Sequence, residues 1–375
     1  MYVPFADGLL EVLVRHKARR RPIESLESLD LSSVSRVLLV LTTGLGDAVL
    51  STPVFEAVRR ALPQARIALF VRHAWAPLFF AESDVDEIVS YYGKWRRFST
   101  TLSRLRAFAP DLAIVLHGND PDILPLVYLA GSRHIVRVPT AGTRYRHLLS
   151  NLGREQDSTT VDGFHYIENR LRVLETVGIL PTRSTPIIQL TGRLLDEART
   201  WISRHIGNFP FVVVHRYAAD HYKTWPLAQA RQFLEAAIRL YPDICFVLTG
   251  SPKEQHETKA VAESFSSDRV VCAAGIFDIA GTAGLIAHAK AVVAPDTGLL
   301  HLAAALNIPT VGLFSPTQPA FVGPRASTAR SIPLTRPVTC TPCTQKSCPH
   351  NPALCMAQFS GVDVLSALTD ILSSS

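Results

Sequence analysis

Two short segments of this chain combine a carboxylate with a glycine turn where a strand gives way to a helix. The first is APDTGLLHLAAAL, residues 294–306, which follows a strand-like run ending at Val293. Asp296, Thr297 and Gly298 make the turn, and His301 lies one helical turn further on. Unpaired N–H groups at a helix start, with glycine permitting close approach, form a ready anion site. The Thr297 hydroxyl and the His301 ring can add contacts. Asp296 has a second possible role as a helix cap, a common task for aspartate. The other segment is Thr42-Thr43-Gly44-Leu45-Gly46-Asp47, directly behind the apolar run Val37–Leu41. Its two glycines are half of a dinucleotide fingerprint, but Pro53 follows and the third glycine is absent. A carboxylate beside a phosphate cradle repels the ligand, so Asp47 is expected either to do other chemistry or to cap its helix.

A third constellation lies in TCTPCTQKSCPHNPALCM, residues 339–356, where Cys340, Cys343, Cys348 and Cys355 fall within a proline-rich stretch. Four thiols at this spacing can hold one structural Zn²⁺ or iron, with His350 as a spare ligand. The spacing departs from paired C-x2-C knuckles, so packing without a metal is the competing reading. Cys245 and Cys272 sit in strand-like runs and read as buried thiols.

The elements that must position these residues alternate along the chain. Strands are expected at Val37–Leu41, Ile67–Val71, Ile88–Ser90, Leu112–Leu116 and His134–Val138, with helices at 54–62, 98–108 and 163–177. LPTRSTP, residues 180–186, breaks the pattern as a linker. Strands resume at Phe211–His215, Ile244–Thr249, Val270–Cys272, Ala291–Ala294 and Thr310–Phe314, with helices at 227–241, 254–265, 278–289 and 298–306 and a last one at 361–373. Such alternation specifies α/β units with parallel sheets. The loops singled out above all follow carboxyl ends of strands, where ligands bind in open α/β sheets.

The chain of 375 residues is long enough for two domains, and 47% hydrophobic residues can fill two cores. It contains no uninterrupted apolar run of membrane-spanning length. The opening MYVPFADGLLEVLVRHKARRR lacks the order of a secretory signal, because its basic cluster follows the apolar part. A cytoplasmic location is therefore expected. The net charge is +6, with Arg15, His16, Lys17, Arg19, Arg20, Arg21, Lys94, Arg96 and Arg97 concentrated early. Anionic lipid, a phosphorylated acceptor, nucleic acid or plain solvation can each account for this. Residues 4–14 fit a short amphipathic helix that lies on a membrane surface or packs on the protein.

TTGLGDAVLSTPVFEAVRRALP and APDTGLLHLAAALNIPTVGLFSPTQP, with HRYAADHYKTWP at 215–226 and Thr249-Gly250-Ser251-Pro252-Lys253-Glu254 between them, resemble glycosyltransferase family nine, the heptosyltransferases of lipopolysaccharide core assembly. The matches run from about residue 36 to the C-terminus. The resemblance implies the GT-B architecture: two doubly wound, Rossmann-like α/β domains facing a central cleft. Residues 1–35 then form a basic arm, 36–180 the acceptor-side domain, 187–335 the nucleotide-sugar-binding domain, and 336–375 a cysteine-rich tail with a closing helix.

It further implies inverting transfer of a heptose from ADP-heptose to a lipid A–core acceptor, with no metal or other cofactor in the chemical step; where the early basic cluster meets anionic lipid, the protein would contact the cytoplasmic face of the inner membrane. By the same resemblance Asp47 is the general base, and Lys223 meets the donor phosphate. Thr297 and Gly298 cradle the diphosphate, Asp296 contacts the donor sugar, and Glu254 meets adenine or ribose. His301 is either a further phosphate or sugar contact or a buried helix histidine. Thr43, Gly44 and Gly46 shape the acceptor-side loop. The chain departs from the family pattern at Leu41, where relatives carry Lys or Arg, and at Tyr217, Ala218 and Ala219, where small hydroxyl residues are usual. Another nucleotide sugar or a protein acceptor is therefore the alternative. A basic nucleic-acid-binding protein with a cysteine metal module is a remote one, since no interleaving of aromatic and basic residues of the RNA-binding kind is present.

Overall fold

The run Arg36–Leu41 carries no polar side chain beyond its first residue, and it forms β1, buried on both faces at the centre of a parallel sheet. The structure, a computed structural model, describes residues 4–137, 144–152, 164–338, 340, 343 and 348–374. It divides into two compact units, Met1–Ser184 and Thr185–Ser375.

In the first unit, α1 (Pro4–Arg20) precedes β1. The order continues α2 (Leu45–Leu50), α3 (Pro53–Ala61), β2 (Arg66–Arg72), β3 (Glu87–Tyr91), α4 (Phe98–Phe108), β4 (Leu112–His117), α5 (Ile123–Leu129), β5 (His134–Arg137) and α6 (Tyr166–Thr176). The five strands are ordered β3-β2-β1-β4-β5, all parallel. Val138, the expected end of the fifth strand, and Gly163, the expected start of a helix, lie outside the described residues. α1 runs further than the expected 4–14 and buries Leu10 and Val14 in the core beneath β1, β2 and β4.

In the second unit come α7 (Gly192–His205), β6 (Phe211–His215), α8 (Leu227–Leu240), β7 (Cys245–Thr249), α9 (Gln255–Glu263), β8 (Val270–Cys272), α10 (Ile279–Ile286) and β9 (Ala291–Pro295). Then follow α11 (Gly298–Ala305), β10 (Thr310–Phe314), α12 (Pro319–Val322), β11 (Ser331–Thr335), α13 (Leu354–Ala357) and α14 (Gly361–Leu372). The strand order is β11-β10-β9-β6-β7-β8, again parallel throughout. β11 had no sequence signal because it is a half-exposed edge with Pro333 at its middle, a residue that only an edge strand tolerates. α14 packs on α8, placing Val364, Leu368 and Ile371 beside Trp225 and Phe233. Gly361 starts it because a Cβ there would lie 2.3 Å from the Phe233 amide nitrogen.

Both sheets reverse direction once. In the first, strand order turns between β1 and β4; in the second, between β6 and β9. Loops leaving adjacent strands at such a point diverge to opposite faces and open a crevice at the carboxyl ends. The loop after β1 carries Asp47, β4 ends on His117, the loop after β6 carries Lys223, and the turn after β9 carries Asp296.

Candidate active site

The reversal point of the first sheet is built around Asp47. A register irregularity between Val40 and Leu41 brings Leu41 opposite His117, and the Thr42 amide donates to the His117 carbonyl at 3.0 Å. Gly44 occupies the cap position of α2, so Asp47 falls in the first helical turn instead of capping it. Its carboxylate faces three side chains. Arg170 Nη2 donates to Oδ1 at 2.6 Å, Thr43 Oγ1 donates to Oδ2 at 3.2 Å, and His117 Nε2 lies 3.7 Å from Oδ1. Thr43 Oγ1 is also 2.5 Å from His117 Nδ1. A hydroxyl has one proton, so both contacts are satisfied together only when His117 Nδ1–H donates to Thr43 and Thr43 donates to Asp47. Burial pulls the His117 ring below its ordinary range, Asp47 opposes this, and the Arg170 and Arg137 charges reinforce it. The ring is thereby favoured in its neutral form, and the chain of donors then places its one proton on Nδ1.

The loop itself is pinned from outside. Trp75 Nε1 donates to the Thr43 carbonyl at 2.9 Å, and Arg72 Nε to the Thr42 carbonyl at 3.3 Å. A Cβ on Gly44 would lie 3.3 Å from Asp47 Oδ2, so this glycine leaves room for the carboxylate. Gly46 is inside the first turn of α2. Arg170 escaped the sequence reading. It sits in α6 among the buried Ile167, Leu171 and Leu174 and is only 4% exposed. The available signal was a cation at an apolar-face position.

The reversal point of the second sheet gathers a second cluster. Trp225 is fully buried; its Nε1 donates to the Phe359 carbonyl at 3.0 Å and its amide to the Arg216 carbonyl at 2.8 Å. Pro226 then caps α8. The Trp-Pro pair thus anchors the loop, and Lys223 is held two residues before the anchor. Lys223 Nζ donates to Asp296 Oδ2 at 3.0 Å and lies 3.7 Å from Asp220. Thr317 Oγ1 donates to the same Asp296 oxygen at 2.8 Å, while His301 Nε2 stands 3.7 Å from Oδ1. Burial raises the Asp296 carboxyl, but His301, Lys223 and Thr317 outweigh it and bring it to about 2. Thr297, not Asp296, holds the cap position of α11. The Thr297 hydroxyl and His301 Nδ1 are buried without a hydrogen-bond partner. Gly298 begins the helix, whose first amides have no intrahelical acceptor. Thr317 was missed because its reach to Asp296 depends on β9 and β10 being neighbours.

Glu254 lies apart from this cluster, at the cap position of α9, where its Oε2 accepts from the Ser251 amide at 2.6 Å. Tyr217, one of the departures noted above, is buried. Its hydroxyl is 3.0 Å from Glu257 and 2.9 Å from Thr258, and the Arg216 guanidinium covers its ring at 4.2 Å. The cysteines do not converge. Cys355 is buried in the second core with Cys348 packed against it, whereas Cys343 is exposed. Among the described residues no three His, Cys, Asp or Glu side chains are placed to hold a metal ion. Several residues of the tail, 339, 341, 342 and 344–347, lie outside the described ones.

The sequence profile of glycosyltransferase family 9 (heptosyltransferase) matches residues 138–354. The chain belongs to this family. It is accordingly a glycosyltransferase, of GT-B type with two Rossmann-like α/β units. Lipopolysaccharide heptosyltransferase 1 of Pseudomonas aeruginosa is 28% identical over 335 residues, 84% of this chain and 88% of that protein. Lipooligosaccharide heptosyltransferase 2 of Haemophilus ducreyi is 34% identical over 319 residues, 80% of this chain and 88% of that protein. Among solved structures, the ADP-heptose lipopolysaccharide heptosyltransferase II of Escherichia coli superposes with a TM-score of 0.72 at 22% identity, covering 90% of this chain and 99% of that one.

Proposed function

We propose that this glycosyltransferase moves a heptose from ADP-heptose to a lipopolysaccharide core acceptor, with inversion at the anomeric carbon. The observation that carries the reading is the Lys223–Asp296–Thr317 cluster beside the start of α11. Together with the heptosyltransferase names of the relatives, it supports a diphosphate sugar as donor.

The chemistry follows from the residues. Asp47 takes the proton of the acceptor hydroxyl as its oxygen attacks the anomeric carbon. The attack comes from the face opposite the departing ADP, so configuration inverts. General base action of this kind is worth ~10²–10⁴ in rate. Arg170 and Thr43 fix the carboxylate, one on each oxygen. The charge developing on the leaving diphosphate is met by Lys223 and by the amides and partial positive charge at the α11 start. In the free protein Asp296 holds Lys223 folded into this corner. A bound diphosphate competes for the ammonium, and Asp296 then has an oxygen free to accept from a sugar hydroxyl. These charges supply the neutralisation that a divalent cation provides in other transferases, so the chemical step is expected to need no metal.

The test is release of ADP and transfer of label from ADP-heptose to a deacylated lipid A–core acceptor, run beside a panel of other nucleotide sugars. Transfer from ADP-heptose alone is expected, with a product of the opposite anomeric configuration. Preference for another nucleotide sugar, or transfer to protein but not to the core acceptor, would replace this reading with the alternative.

A further inference from the structure

We propose that the outward face of α1 seats the protein on an anionic phospholipid surface. α1 is apolar on two faces. Leu10 and Val14 point into the first core, with Asp7 buried beside them. On the other side Leu9, Val12 and Leu13, spaced i, i+3 and i+4, are 64%, 67% and 44% exposed. Apolar side chains at that spacing form one continuous stripe. A helix that needs only one apolar face to join its core has no folding reason for the second.

The charges around the stripe define what covers it. The acids of α1 are both turned inward and used: Asp7 pairs with Lys94 at 3.5 Å and Arg144 at 3.6 Å, and Glu11 with Arg144 at 2.6 Å and Arg15 at 3.0 Å. The cations that follow are not used. Lys17, Arg19 and Arg20 are exposed and form no ion pair among the described residues. At 100° per residue, Arg20 falls on the same line as Leu9, Leu13 and His16, with Lys17 and Arg19 on its flanks. Three apolar side chains ending in a cluster of cations match an interfacial helix: the apolar stripe enters the acyl boundary while the cations meet lipid phosphates. A second copy suits this face poorly. Three side chains fall far short of the area a stable dimer buries, and a two-fold pairing sets the same cations against one another. No described helix is long and apolar enough to cross a membrane, so α1 lies on the surface and does not span it.

The proposal does not rest on the donor reading, because its test uses neither donor nor acceptor. The full chain is sedimented with vesicles of phosphatidylcholine alone and of phosphatidylcholine mixed with phosphatidylglycerol. Binding is expected on the mixed vesicles only and should weaken as salt is raised. Replacing Arg19→Glu with Arg20→Glu should lower the partition roughly 30-fold or more, and Leu9→Gln with Leu13→Gln roughly tenfold. Both variants leave Leu10 and Val14 in place, so circular dichroism and thermal unfolding should match the wild type. Three outcomes overturn the proposal: absent or charge-independent binding of the wild type, unchanged partition of either folded variant, or a lipid-free dimer that Leu9→Gln with Leu13→Gln dissociates.

Discussion

Arg170 Nη2 lies 2.6 Å from Asp47 Oδ1, joining a fully buried guanidinium on α6 to a carboxylate that follows β1. The pair sits 123 residues apart in the chain. It fixes which way Asp47 points, and it divides the work on the two oxygens between Arg170 and Thr43. Removing the guanidinium leaves the carboxylate free to rotate, and small displacements of a reacting group cost up to ~10² in rate. Arg170→Ala should therefore lower kcat about ten- to a hundredfold while KM for the donor stays level, because the Lys223 cluster is untouched. Arg170→Lys should recover part of the loss but not all, since an ammonium cannot reproduce the planar fork. A matched rise in KM would assign Arg170 to the stability of α6 and not to positioning.

Asp47→Asn keeps the shape and the Thr43 contact but cannot take a proton. Turnover should fall by ~10²–10⁴, with ADP still stabilising the fold in a thermal shift. Near-normal turnover would remove Asp47 from the base role and leave it as a partner for Arg170.

Lys223→Ala should weaken ADP-heptose binding and slow transfer by ~10²–10³; it should also lower the unfolding temperature, because the buried Asp296 carboxylate loses its cation, while Trp225 still anchors the loop. EDTA should leave kcat of the wild type unchanged. Chelator-sensitive turnover restored by Mg²⁺ would show that Lys223 and the α11 start do not carry the leaving group unaided.

Much of this arrangement was legible because parallel strands buried on both faces appear as continuous apolar runs, and the polar turns that follow them stand out. The loops after β1, β6, β7 and β9 were all marked in that way. What connects those loops was not legible. Arg170 meets Asp47 only once α6 packs on its own unit, and Thr317 meets Asp296 only because β9 and β10 pair, with Leu313 opposite Pro295. Sequence spacing showed four thiols in the tail but not that Cys355 turns into the core beside Met356 and Phe359. Trp225 stood out as part of a motif; its fully buried ring shows that it holds the loop and does not touch a ligand's phosphate.

Gly361 permits the close approach of α14 to α8. A Cβ there would lie 2.3 Å from the Phe233 nitrogen and 2.8 Å from the Gln232 carbonyl carbon, both backbone atoms that cannot rotate away. Gly361→Ala should destabilise the second unit by roughly 1–3 kcal/mol, read as an earlier urea midpoint. Wild-type stability in this variant would mean that α14 shifts along α8 at little cost.

The acid sensitivity of the fold should report the Asp296 cluster. Burial raises this carboxyl, but His301, Lys223 and Thr317 prevail and set it at about 2, against 3.8 for the ordinary group. A folded value below the unfolded one means that the unfolded chain binds protons more readily. The resulting stability is therefore complete above about pH 4 and is lost as pH falls from there towards 2. The difference corresponds to about 2 kcal/mol. Against the opposing effect of burial, other carboxylates, among them Asp86 and Asp111, are also held below their ordinary range by hydrogen bonds and nearby arginines, so the informative quantity is the gap between wild type and Asp296→Asn. Urea unfolding across this range should show the variant less stable near neutrality and the two curves converging by pH about 2. Lys223→Met should close part of the same gap. Curves that stay parallel at every pH would mean that Asp296 titrates alike in the folded and unfolded chains, and that the Lys223 contact contributes nothing to holding the site in shape.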